Sequence, residues 1–313
     1  MGWRGLRWLG AGALLALLLG WLAIRSRPLS APPPLEVGLP AAYPPPGLAV
    51  YQLPTGVAHR SAGFAYRGGS FFEKRDFAMT ALLVVHPDGD LLIDAGLGTK
   101  AAEHLAQLPF AFRQITRYTP ARTVAAQLKA AGYDTQRLRG IVLTHAHWDH
   151  ASGVGDLAGV PVWLNPEERS FVETGGYLTA ALRTTPGVRY EIYRFEGGPY
   201  LGFRSHYDVF GDGAVVFVPA PGHTPGSIIV FLTLPSGQRY ALLGDLCWQR
   251  EGVTLLEERP FPLSALGDDN ADVVKQGLRH VNALAARFHS MILVPAHDAR
   301  GFSTFPTLPG AEK

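Results

Sequence analysis

Thr144-His145-Ala146-His147-Trp148-Asp149-His150 follows directly on the apolar run Ile141-Val142-Leu143. That run has the length and composition of a short buried strand, so three imidazoles and a carboxylate leave a sheet together at its end. Neutral imidazole and carboxylate oxygen are the groups that borderline divalent ions such as zinc prefer. In an extended or tightly turning segment His145 and His147 project the same way, as alternate residues do, and Asp149 and His150 are left to face a second point. A metal-free surface or core cluster is the bland alternative. A motif this dense directly after a strand argues against it.

Three later stretches repeat the grammar. The apolar residues 214–218 lead through Pro219-Ala220-Pro221-Gly222 to His223, residues 240–243 lead through Gly244 to Asp245, and residues 291–294 lead through Pro295-Ala296 to His297. Taken singly, each ligand candidate could be an ordinary turn residue. Their shared position just past a buried strand, with small residues leaving room, makes them a set, because strand ends are where sheet proteins gather distant residues into one site. The set holds five His and two Asp, enough for two metal ions that share a ligand.

These residues resemble the motifs of the metallo-β-lactamase superfamily: Thr144 to His150, Pro221-Gly222-His223-Thr224-Pro225-Gly226-Ser227, Gly244-Asp245 and Pro295-Ala296-His297, with Ile93-Asp94-Ala95-Gly96 matching the first family motif. The motifs stand in the family order across residues 51–301. The resemblance implies an α/β fold, a four-layer αβ/βα sandwich with metals at one edge of its two sheets. It implies His145, His147 and His223 on one metal and Asp149, His150 and His297 on the other, with Asp245 bridging. It further implies two Zn2+ per chain, iron or manganese being alternatives, and an Asp94 that orients a ligand.

Two close divalent ions at an open edge bring a bound water near neutrality in pKa and polarise a carbonyl or phosphoryl oxygen, so no Ser or Cys nucleophile is needed. The expected activity is a dinuclear metal-dependent hydrolase in which metal-bound hydroxide attacks a carboxylic ester, lactone or thioester, with Asp149 as ligand and proton carrier. Phosphodiester hydrolysis is the runner-up. A mononuclear iron sulfur dioxygenase and a non-catalytic membrane-tethered binding module are the readings from other classes. Asp245 in the bridging position differs from typical class B β-lactamases. Only 16 residues follow His297, too few for the helical domain of glyoxalase II. Quorum-quenching lactonases carry a Tyr three residues after the bridging Asp, where this chain has Trp248.

The remaining composition bounds the partners. With 313 residues and 47% hydrophobic content, the chain can bury a large core. A net charge of +2 without a basic, aromatic-interleaved block does not imply nucleic acid; the expected partner is a small molecule with an apolar part. The lone Cys247 excludes an internal disulfide and reads as a buried bystander. Residues 8–24 form an uncharged Leu-rich run flanked by Arg4, Arg7, Arg25 and Arg27, about 25 Å long as a helix. Residues 1–27 therefore read as a membrane anchor holding the catalytic domain outside the cytoplasm, with a cleaved signal peptide and secretion as the alternative. Residues 28–50 are a proline-rich linker, of which residues 28–46 are expected to be an extended spacer reaching up to about 60 Å at ~3.1 Å per residue. Residues 51–313 are the catalytic domain.

Within that domain, residues 80–85 and 90–93 read as a hairpin across Pro87-Asp88-Gly89, and 227–234 with 239–243 as a second. Residues 190–195 and 205–209 read as strands. Helices are expected from Thr119-Pro120 to Gly132, from Asn165-Pro166 onward, and over 270–288. Phe110, Phe112, Tyr118, Trp248 and the aromatics of 51–77 are candidates to line an apolar pocket. Asp298 and Arg300 are expected on a surface loop. His59, His86, His104, His206, His280 and His289 lack ligand spacing.

Overall fold

The computed structural model describes residues 3–312 and builds them around two sheets. The strands are β1 (Ala49–Ser61), β2 (Lys74–Val85), β3 (Asp90–Ile93), β4 (Thr119–Pro120), β5 (Leu138–Val142), β6 (Val162–Leu164), β7 (Tyr190–Ile192), β8 (Tyr207–Asp208), β9 (Val215–Pro219), β10 (Ile228–Thr233), β11 (Arg239–Gly244) and β12 (Ile292–Pro295). One sheet runs β4-β1-β2-β3-β5-β6-β7 and the other β12-β11-β10-β9-β8.

Alternation along the strands produces the layers. Leu82, Val84, Leu91, Ile93 and Val142 point from the first sheet into a core shared with Val215, Phe217, Val230 and Leu242 of the second. Their neighbours Leu83, Leu92 and Ile141 face the other way, onto Leu128, Ala151 and Val172 from the covering helices. Val216, Ile229, Phe231 and Ala241 face outward beneath Val274, Leu278 and Val281 of the helix Ala271–Arg287. A period of two thus makes helix, sheet, sheet and helix four successive layers, as an α/β sandwich requires.

Both expected hairpins form, β2 with β3 and β10 with β11. Asn165 and Asn270 cap their helices, the Asn165 side chain accepting from Glu168 N–H and that of Asn270 from Asp272 and Val273 N–H. Three expectations need correction. Thr119-Pro120 starts no helix: the pair is β4, laid against Gly56 and Val57 at the sheet edge, where a proline lacking its N–H is tolerated. The helix begins instead at Val124, capped by Thr123, whose hydroxyl accepts from Ala126 N–H. The 13-residue β1 went unread in the sequence because Pro54 and Gly56 flank a register shift that breaks its pattern.

The third correction concerns residues 28–50, which do not stand off as a spacer. Leu29 N–H donates to Leu256 O at 2.8 Å, Arg239 donates to Pro40 O at 2.6 Å, and Tyr43 N–H donates to Asp212 O at 2.6 Å. Leu29, Leu35 and Val37 pack onto the outer core of the second sheet. The segment is a strap along the domain. Before it, Trp3–Ile24 is helical; side chains ahead of Leu14 lie outside the described residues. Among the described residues no helix is long and apolar enough to cross a membrane.

Candidate metal centre

All seven predicted ligands converge at one edge of the sandwich. Ligand atoms of His145, His147 and His223 lie within 4.8 Å of one another, as do those of Asp149, His150 and His297, and those of His145, His150 and Asp245. Asp245 stands between the first two groups. Its Oδ2 is 3.4 Å from His223 Nε2, while its Oδ1 is 3.2 Å from His297 Nε2 and 3.5 Å from His150 Nε2. Every one of the seven is buried except Asp149, which is partly open to solvent.

Each side chain is delivered by a strand end and held from behind. Asp94, just past β3, takes φ +60°, a left-handed conformation that Asp tolerates better than most residues. From there its carboxylate accepts Thr144 N–H at 2.7 Å, the Thr144 hydroxyl at 2.9 Å and His150 Nδ1–H at 2.8 Å. His297 Nδ1 donates to Ala78 O at 2.8 Å and His223 Nδ1 to Asp268 at 2.8 Å. Giving away the Nδ1 proton fixes the tautomer and leaves Nε2 to face the centre. His223 Nε2 also lies 3.0 Å from His147 Nδ1, a separation at which two nitrogens either share a proton or face one cation.

The donor set fits metal. His145 Nε2, His150 Nε2 and Asp245 Oδ1 are buried without any hydrogen-bond partner, which is costly unless a cation meets them. Electrostatics agree. Burial, reinforced by neighbouring imidazoles, pushes His145 and His147 well below the ordinary histidine range, into the neutral ligand form. Burial also opposes charge on His150 and His297, but Asp94 and Asp245 outweigh it at His150, and Asp245 and Asp149 at His297, so both are raised. Asp245 is held well below the carboxylate range against its own burial by His297 and His150. The carboxylates here seek positive charge.

Three supporting residues escaped the sequence reading. Glu168 is buried and accepts Ala146 N–H at 2.6 Å, the Thr224 hydroxyl at 2.7 Å and Gly226 N–H at 3.0 Å, clamping the two ligand loops together. Burial raises its pKa to about 7. Its signal was the Asn165-Pro166-Glu167-Glu168 pattern of a capped helix start, which says nothing of a partner 56 residues away. Asp268 and Arg259 form a buried pair behind His223, at 2.5 Å, and Arg259 also binds Leu246 O at 3.1 Å. No local pattern marks them. Asp298 is no surface-loop residue: it is buried, caps the helix Ala299–Phe302 and pairs with Arg300 at 2.7 Å.

An apolar pocket covers the ligands. Phe64, Phe77, Leu108, Phe112, Leu178 and Leu263 form its walls, and His147, Asp149, His223, Asp245 and His297 its floor. Trp248 lines it too, donating from Nε1 to Asp245 Oδ2 at 2.7 Å. Phe110 and Tyr118 do not line it: Phe110 is exposed and Tyr118 packs on Trp148. Cys247 is free and buried, one residue from Trp248 but outside the lining.

Comparison with known proteins accords with this geometry. The family model for the metallo-beta-lactamase superfamily matches residues 76–279. The probable metallo-hydrolase Rv2300c of Mycobacterium tuberculosis is 30% identical over 69% of this chain and 73% of its own length. An N-acyl homoserine lactonase, AttM of Azorhizobium caulinodans, is 25% identical over 73% of this chain and 84% of its own. A solved N-acyl homoserine lactone hydrolase with product at its catalytic metal center superposes with a TM-score of 0.64 at 20% identity, covering 83% of this chain and 97% of that one. Strand-end ligands, four layers and a family model spanning most of the domain lead to one conclusion: the chain belongs to the metallo-beta-lactamase superfamily and is a metal-dependent hydrolase.

Proposed function

We propose that the chain is a dinuclear hydrolase that opens lactones carrying an apolar acyl group, with related carboxylic esters and thioesters as further substrates. The observation that carries this reading is the joining of two ligand triads through Asp245 beneath an apolar pocket. His145, His147 and His223 would hold one ion and Asp149, His150 and His297 the other, with Asp245 between, and nitrogen-rich triads of this kind suit zinc. When bound, the ions supply an activated water and polarise the substrate carbonyl. The lactonases among the relatives support the substrate class.

The protein's own groups do the rest. Phe64, Leu108, Phe112 and Leu178 seat the acyl part and exclude bulk water. Asp149, the most open carboxylate of the set and 3.6 Å from His297 Nε2, is placed to take and return a proton. Trp248 stands where quorum-quenching lactonases carry Tyr; its indole N–H is spent on Asp245, so it orients that carboxylate.

The test compares hydrolysis of an N-acyl lactone, an aromatic ester and a bis-aryl phosphate by the zinc-loaded protein, with Asp149→Ala as control. Turnover of the lactone, with little on the phosphate, is the expected result. Turnover of the phosphate alone would replace this reading with phosphodiester hydrolysis.

We further propose that residues 1–27 anchor the chain in a membrane, with the catalytic domain outside the cytoplasm. Supporting this, Leu14, Leu17, Leu18 and Trp21 are all exposed on the N-terminal helix, and an apolar surface all round a helix calls for lipid or a protein partner. Detergent, and not high salt, should release the protein; recovery in the soluble fraction would contradict the anchor.

A further inference from the structure

Exposed apolar side chains stand on the segments that line the pocket. Phe72 is 97% exposed, Phe110 68% and Phe261 62%, with Phe71 and Leu266 exposed beside them. Each belongs to a segment that also lines the pocket or touches its lining. Phe71 meets Phe64 edge-on at 6.0 Å, Phe110 shares the helix Phe110–Ile115 with Phe112, and Phe261 shares Phe261–Gly267 with Leu263. Exposed apolar side chains on the segments that line one pocket are the kind of surface that meets a partner or a membrane.

The N-terminal helix leaves the domain at this same rim. Arg67 donates to Leu22 O at 2.7 Å and Arg25 O at 3.1 Å, and Gly68 N–H donates to Ile24 O at 2.8 Å. Those two residues open the turn that ends at Phe71-Phe72. The helix also contacts Phe261–Gly267. Just beyond it, Ser26 and Arg27 bind Glu257, and Leu29 N–H binds Leu256 O. The exit of the apolar helix is therefore fixed next to the mouth and not left on a free tether. Charge follows the same pattern: of the seven Arg or Lys in residues 25–27, 67–75 and 110–117, Arg75 is paired with Glu73 and Glu251 and the other six stand against Glu257 and Glu258, which contact Arg27 and Arg67, a cationic excess that favours an anionic lipid surface.

We infer that this rim is a bilayer-contact surface, and that the pocket opens onto lipid so that the acyl part of the substrate enters from the membrane. The inference rests on the anchor reading. Phe72, Phe110 and Phe261 enter the interface, the neighbouring cations lie at the headgroups, and the ligand edge of the sandwich faces the membrane. The opposite end, where the turn at Ser236 joins β10 to β11, faces water.

The experiment uses the full chain in phosphatidylcholine–phosphatidylglycerol vesicles. Because the native Cys247 is buried, a thiol-reactive fluorophore reports from Phe72→Cys, Phe110→Cys, Phe261→Cys or Ser236→Cys alone. Lipids with a nitroxide on the acyl chain should quench the three rim labels at least about threefold more than the Ser236→Cys label, as interfacial burial requires. Equal quenching at all four sites in protein that floats with the vesicles would leave the anchor standing and overturn the rim contact. Failure to float would overturn the anchor, and this inference with it.

Discussion

Asp94 governs more of the centre than its place outside the ligand set suggests. One carboxylate orients both Thr144 and His150, so Asp94→Ala should weaken the binding of the Asp149 group's metal 10- to 100-fold, roughly the effect of losing such supporting partners. Metal titration checks it; unchanged affinity would remove Asp94 from the account. Asp268 has a different task. Asp268→Asn leaves the buried Arg259 guanidinium without its counter-charge, and breaking such a pair costs about 3–5 kcal/mol. Urea unfolding should register that loss. Replacing both residues together with apolar ones should recover part of it.

Glu251 gives a pH signature away from the ligands. Burial works to raise its pKa, but Arg300, at 2.7 Å and 2.8 Å, and Arg75, at 3.0 Å, hold it down at about 2. A depressed carboxylate stabilises the fold above its unfolded pKa of about 4.3, and that stability is lost as pH falls toward 2. Glu251→Gln should therefore be less stable than the parent at pH 7 and lose less on acidification. Parallel unfolding curves for the two proteins from pH 7 to 2 would contradict this.

At the scale of the element, the ligand loops depend on close backbone approach. A Cβ on Gly226 would stand 2.2 Å from Glu168 N and 2.4 Å from Asn165 Oδ1, and one on Gly222, at φ +126°, would meet Val274 N at 2.8 Å. Gly226→Ala should pry the His223 loop from the helix Pro166–Thr174 and cost about 2 kcal/mol or more, in the range of strained or overpacked substitutions. Thermal unfolding with and without added zinc measures it, and a shift within error would show the clamp to be slack.

Elements also explain what could be read in advance. β5, β9, β11 and β12 were legible because each is a short apolar run stopped by a ligand-bearing turn. The capping asparagines were legible because their bonds are local. β1 and β4 were not, since a proline in each reads as a strand or helix boundary until a partner strand is seen. Glu168, Asp268 and Arg259 were hidden for the same reason: the partners through which they hold the centre lie 9 to 58 residues away in the chain.

The whole molecule draws two remote halves of the chain to one edge. The first sheet supplies His145, His147, Asp149 and His150, the second His223, Asp245 and His297, and the joint between them is direct, with Ile228 N–H donating to Thr144 O at 3.0 Å. The strap of residues 28–50 adds a third connection, running over the second sheet and bringing the N-terminal helix to the pocket mouth. Its reach was misjudged from sequence because proline content sets local extension and not what the extended segment lies against.

Two metal ions sharing Asp245 is the claim on which the rest depends. The direct measurement is metal content per chain, by elemental analysis, in the purified protein and in Asp245→Ala, alongside lactone turnover before and after chelation. The parent should hold two equivalents of metal and the variant at least one fewer, and turnover should vanish with chelator and return with zinc. Full turnover in metal-free protein would contradict it.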